Sequence, residues 1–173
     1  MSLTFEFDLT EREHIRAARI LSLRQPTTRR ILAFLALCLL VLIAYHGVQS
    51  LRGYGAFPLM ALAGWAAIAL GLAVVYYAPS TTVRSLRKNN RAAAGLHVYD
   101  VTERGLEMRA EGASGAIEWP GILEVYESRD FLFFYFSSEW AHFLPKRAVA
   151  PATLPMLRES LRRWVGTRAH LRQ

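Results

Sequence analysis

The sequence predicts an α+β membrane protein: a two-helix transmembrane hairpin plus a small antiparallel β meander or barrel, capped by a C-terminal amphipathic helix. Three observations predict it. Residues 31–51 and 56–78 are apolar runs without a single Asp, Glu, Lys or Arg, and about 20 such residues cross a bilayer as a helix. A helix is the form that satisfies its own backbone there. Residues 96–144 break into short alternating stretches separated by turn residues at intervals of about 8–12, the spacing of an antiparallel meander. Finally, Leu154, Leu157, Leu161, Trp164 and Val165 recur at helical spacing, with Arg158, Glu159, Arg162 and Arg163 opposite.

From the N-terminus, residues 3–9 alternate strictly, with Leu3, Phe5, Phe7 and Leu9 on one face and Thr4, Glu6 and Asp8 on the other. That pattern is a half-buried strand. An isolated strand is unstable, so it is expected to join the C-terminal sheet. Thr10 and Glu13 have capping-box spacing and open a helix. Ile15, Ala18 and Leu21 share one of its faces, while Arg12, Arg16 and Arg19 lie elsewhere. Two placements are open for it: on the headgroup surface or over the soluble domain. Gln25-Pro26-Thr27-Thr28 ends it.

Only Arg52-Gly53-Tyr54-Gly55 separates the two apolar runs, so they form a hairpin. Arg24, Arg29 and Arg30 precede the first run, and Arg84, Arg87, Lys88 and Arg91 follow the second. Basic flanks favour the cytoplasmic side, which places both termini there. Ala63, Ala67 and Gly71 recur every fourth residue and form a helix-packing face, serving either the partner span or a second copy of the chain. Pro79 is expected to end the second span. Residues 79–95 then form a basic connector, 96–166 the β-rich domain with its C-terminal helix, and 167–173 a frayed polar tail.

The net charge is +7, but its distribution argues against nucleic acid. Residues 96–150 carry nine acidic residues against five basic ones. The positive charge hugs the apolar runs and the C-terminus, which suits anionic lipid better. The single cysteine, Cys38, lies within the first run and makes no disulfide framework. His14, His46, His97, His142 and His170 share no short motif. His142 is expected to be an ordinary strand residue. Glu107, Glu118, Glu124 and Glu127 occupy polar strand positions and are expected on a solvated face. Residues 112–115 read as a hairpin turn. No catalytic or cofactor-binding motif is present, and no metal-site motif either, so catalytic, cofactor and metal residues are all expected to be none.

The block 117–149 resembles the YcxB-like family of small bacterial membrane proteins. The resemblance is carried by Ile117-Glu118-Trp119, Ile122-Leu123-Glu124-Val125, the aromatic strand Asp130-Phe131-Leu132-Phe133-Phe134-Tyr135, and Ala141-His142-Phe143-Leu144-Pro145-Lys146-Arg147-Ala148-Val149. Trp119, Phe131, Phe133 and Pro145 are its structural residues. Pro120 departs from the family pattern and breaks the strand after Trp119. The resemblance implies a pleckstrin-homology-like (PH-like) C-terminal domain and no catalytic residues.

The expectation is therefore a non-enzymatic, multi-pass protein of the bacterial inner membrane. It presents a small cytoplasmic domain for protein–protein interaction or regulation of a membrane complex. Its partners are membrane lipid, a protein, and a second copy of the chain. One alternative is lipid-headgroup binding through Lys146, Arg147, Arg162 and Arg163, since paired basic side chains suit phosphate. The other is an accessory role in a transporter or pore, although neither span carries the charged residues such pathways use.

Overall fold

The computed structural model describes residues 2–52, 59–90 and 95–172. The expected hairpin turn, the start of the second apolar run at Ala56 and the end of the basic connector lie outside these residues. Strand β1 (Leu3–Asp8) buries Phe5 and Phe7 and exposes Thr4, Glu6 and Asp8. It pairs antiparallel with β2 (Leu96–Val101), Phe5 opposite Tyr99. The N-terminal strand thus belongs to the C-terminal sheet, and the helical hairpin is inserted between two neighbouring strands.

Helix α1 (Glu11–Arg24) starts as its capping box requires: Thr10 Oγ1 accepts from the Glu13 backbone N–H at 3.2 Å, and Thr10 N–H donates to Glu13 Oε2 at 3.1 Å. The expected four-residue break shrinks to Gln25, which is extended, because Pro26 is already at the first helical position of α2 (Pro26–Leu51). Its missing N–H costs nothing there.

Pro79 does not end the second apolar helix. Helix α3 (Leu59–Asn89) runs through it and absorbs much of the expected connector. Proline removes an intrahelical hydrogen bond, but Pro79 and Ser80 are buried, and Arg19 of α1 donates to Ser80 Oγ. The Thr81 and Thr82 hydroxyls both donate to the Ala78 carbonyl, at 2.9 and 3.0 Å. Tertiary packing overrides the local preference.

Helices α2 and α3 are long and apolar enough to cross a membrane. They pack antiparallel, since Leu42 meets Gly64 and Leu35 meets Gly71. The packing face is therefore Gly64 and Gly71 with buried Ile68, the seven-residue step from one glycine to the other being about two helical turns. Of the expected face, Gly71 is in place, whereas Ala63 and Ala67 are exposed. A four-residue step drifts round the helix, and Leu35 and Leu42 select the other set.

Strands β1 and β2 continue into β3 (Gly105–Ala110) and β4 (Ala113–Glu118), a four-stranded antiparallel sheet in the order β1-β2-β3-β4. Ala113, Ser114 and Gly115 lie in β4, not in a turn; the reversal takes place at Glu111 and Gly112, whose φ is +74°. A short 3₁₀ turn, Trp119–Gly121, then redirects the chain at Pro120. The second sheet contains β5 (Glu124–Glu127), β6 (Phe131–Tyr135), β7 (Ala141–Pro145) and β8 (Ala169–His170), in the order β7-β6-β5-β8.

Strand β8 corrects the expected frayed tail. It pairs in parallel with β5, Val125 opposite Ala169. Arg168 anchors it by donating to the carbonyls of Ile122 and Trp119. The tail occupies the edge of β5 that a continuous meander would offer to β4. The sheets consequently pack as two layers and do not close into a barrel.

One core fills the space between the layers: Phe5, Phe7, Tyr99, Val101, Leu106 and Met108 from the first, Val125, Leu132, Phe134 and Leu144 from the second. Helix α4 (Thr153–Val165) adds Leu157, Leu161 and Val165. Strand β6 is buried at every residue, because its other face, Phe131, Phe133 and Tyr135, packs on Ala17 of α1. Helix α1 therefore covers the β-rich domain, one of its two expected placements. It also packs along α3, so one amphipathic helix joins the apolar hairpin to the sheets.

Candidate functional site

Between the first sheet and β7 lies a cleft of about 430 Å³. Leu9, Tyr99, Met108, Ile117 and Phe143 supply apolar walls, and His14, His97 and His142 bring imidazoles into it. Strands β4 and β7, both at sheet edges, both contribute to the lining. Strand β4 is thin and open: Ala113, Ser114, Gly115 and Ala116 are all exposed. A Cβ on Gly115 would meet only the Met108 Cε, at 3.8 Å. The missing side chain is part of the cleft's volume.

The three histidines come from α1, β2 and β7. His97 stacks on Phe7 at 5.5 Å between ring centroids, His142 meets Tyr99 edge-on at 6.4 Å, and His14 lies 5.5 Å from Phe143. Burial lowers the pKa of each below the usual 6.5; Arg87 adds to the effect at His14, and neighbouring His97 does so at both other imidazoles. At neutral pH the cleft is lined by uncharged imidazoles, with Arg109 also in its wall. No short motif links these histidines in the sequence. The signal that could have grouped two of them is strand parity: His97 shares its face with Tyr99 and Val101, and His142 with Leu144, all buried or core-facing. The third needed the packing of α1. Among the described residues no group of three His, Cys, Asp or Glu is placed to hold a metal ion.

The basic residues expected to meet lipid or a partner are not gathered into one open patch. Lys146 Nζ donates to Glu127 Oε1, and Arg158 grips the same carboxylate through Nε at 2.9 Å and Nη2 at 2.6 Å. The Arg172 backbone N–H donates to Glu127 Oε2 at 3.0 Å. Glu127 is thus the correction to the expected solvated carboxylate face: its side chain is fully buried. Burial alone would raise its pKa, but Arg158 and Lys146 outweigh that and hold it below 4.5. Arg147 pairs with Glu13 at 2.8 Å, and this pairing, with the cap bonds from Thr10, lowers the Glu13 pKa to about 2. Arg162 lies 3.5 Å from the Arg172 carbonyl, and Arg163 meets Glu159 at 3.4 Å.

The remaining singled-out residues are structural. Trp119 donates from Nε1 to the Thr102 carbonyl at 3.0 Å and stacks on Trp164 at 5.4 Å. Phe131 and Phe133 carry the contact with α1, and buried Pro145 pairs opposite Phe131.

Residues 101–155 match the family model of the YcxB-like protein. The matched segment runs from the last residue of β2 into the first turn of α4. It contains Trp119, Phe131, Phe133 and Pro145, and the edge strands β4 and β7. It excludes Leu9, His14, His97 and Tyr99, so the cleft is built partly from the matched segment and partly from the elements that flank the hairpin. Neither a curated protein nor a solved structure matches the chain.

Proposed function

We propose that the chain is a non-enzymatic integral membrane protein of the bacterial inner membrane, with α2 and α3 spanning the bilayer and both termini cytoplasmic. Its domain, a PH-like fold left open along one side, binds a segment of a protein partner in the cleft between β4 and β7. The observation that carries the binding reading is the meeting of two sheet edges at one apolar cleft. An edge strand presents unpaired backbone donors and acceptors, and an extended segment added along it gains main-chain hydrogen bonds while its side chains fill pockets. The small residues of β4 leave room for those side chains.

Membrane insertion is supported by the side chains of the hairpin. Phe34, Leu37, Leu40 and Val41 are each 58–64% exposed, a surface too apolar to face water. Trp140, 68% exposed, sits beside the junction of α1 and α2, where Gln25 donates to the Glu139 carbonyl. Tyr76 and Tyr77 lie on α3 near the same junction. Aromatic residues at that level suit a membrane interface. The alternative of headgroup binding through Lys146, Arg147, Arg162 and Arg163 draws less support, because Glu127, Glu13 and Glu159 already engage Lys146, Arg147 and Arg163.

The test is a photo-crosslinker at Ser114 in the full chain, in native membranes. A discrete adduct at Ser114 that disappears in Gly115→Phe, with none at Glu159 on α4, supports the reading. Adducts at Glu159 equal to those at Ser114, or adducts indifferent to Gly115→Phe, overturn it. Alkaline carbonate that releases the chain from membranes would overturn the insertion.

A further inference from the structure

Beside Arg19, where α1 crosses the base of the hairpin, is a second cavity of about 390 Å³. Its walls are Leu23, Leu32, Leu72, Val75, Tyr76 and Pro79, with Ser22 and Arg19 at its polar end. Arg19 is unlike its neighbours on α1. Arg16 pairs with Asp130 and Arg24 with Glu124. Arg19 has no carboxylate within ion-pairing distance among the described residues. Its guanidinium lies 4.3 Å from the Tyr76 ring centroid and donates to Ser80 Oγ at 3.2 Å, and its Nε is buried without a partner.

A cation held against apolar surface with only a ring face and a hydroxyl is under-compensated. Arginine in such a place favours an anionic partner whose oxygens can accept from its fork. The groove beside it is apolar and runs onto α2 and α3, so an inorganic anion alone would leave most of it unfilled. We propose that this groove binds one anionic phospholipid, its phosphate on Arg19 and an acyl chain along Leu32, Leu72 and Val75. The inference rests on the membrane reading above. A lipid bound there lies against all three helices at the joint between hairpin and domain, and would fix the tilt of α1 and of the sheet packed on it.

The experiment is native mass spectrometry of the full chain released from nanodiscs of equimolar phosphatidylglycerol and phosphatidylcholine. Wild type should retain one phosphatidylglycerol in preference to phosphatidylcholine. Loss of a charge-assisted hydrogen bond corresponds to roughly 10- to 100-fold weaker retention, expected for Arg19→Gln, with Arg19→Lys in between. Leu72→Trp, at a half-exposed position, should fill the groove and also abolish retention, while Arg30→Gln should leave it unchanged. Equal retention of the two lipids, or retention surviving both Arg19→Gln and Leu72→Trp, overturns the proposal. Displacement of the lipid by millimolar inorganic phosphate overturns the acyl-chain part. Carbonate extraction of the same variants keeps failure of this site distinct from failure of membrane insertion.

Discussion

Removing the Glu127 carboxylate should strongly destabilise the β-rich domain. Its side chain is fully buried, and those of Lys146 and Arg158 are only 17% and 20% exposed. Glu127→Ala strands two cations in a largely dehydrated site and frees the Arg172 amide that holds the tail beside β5. Removing one partner of a buried pair costs about 3–5 kcal/mol, a large share of the roughly 5–15 kcal/mol that stabilises a whole protein. For a chain of this size the midpoint of thermal unfolding should fall by roughly 6–20 °C. The assay is the near-UV circular dichroism melt of the full chain in nanodiscs, with hydrogen exchange at Ala169 and His170 as a local readout. The triple variant Glu127→Leu, Lys146→Met, Arg158→Met should recover most of the loss, because the cost lies in uncompensated charge and not in a missing attraction. A drop below about 1 kcal/mol for Glu127→Ala, or a triple variant as unstable as the single one, would refute the reasoning.

Further outcomes follow from other contacts. A Cβ on Gly105 would overlap the Ile117 carbonyl oxygen and stand 2.7 Å from Glu118 Cα, so Gly105→Ala should detach β4 at a cost of about 3 kcal/mol or more, read as a lower urea midpoint and faster exchange at Gly115 to Ile117. At Gly71 an added Cβ would lie 2.9 Å from Leu35 Cδ2; Gly71→Leu should loosen the hairpin by about 1–3 kcal/mol in a detergent-denaturation series, and Leu35→Ala should restore it. His14, His97 and His142 have folded pKa values below 6.5, so the stability tied to their neutral forms is complete above pH 6.5 and is lost as pH falls below it. Glu13 and Glu127, whose values are lowered from 4.5, begin to lose theirs only below pH 4.5. The urea midpoint should therefore fall between pH 7.5 and 5.5, and less so in His97→Phe; an unchanged or rising midpoint would contradict the burial of these imidazoles.

The elements whose cause is local were legible in the chain. Strand β1 alternates, α1 carries its own capping box, the two long helices contain long uncharged apolar runs, and α4 keeps its stripe because all its buried residues face one core. An all-apolar β6 has no side to offer water, but that α1 covers its second face is decided only by the tertiary packing. What the chain could not disclose by itself was anything set by a choice between competing partners. Pro79 stays helical because α1 buries that turn. Gly71 packs in the hairpin while Ala63 and Ala67 do not, because bulky Leu35 and Leu42 select which small residues they meet. Glu127 has the parity of a polar strand position, and only the arrival of Lys146, Arg158 and Arg172 makes its burial tolerable. The open cleft has the same origin: residues 169–170, too short a stretch to show a strand pattern, take the edge of β5, so the sheets remain two layers and three histidines from distant segments come to face one space.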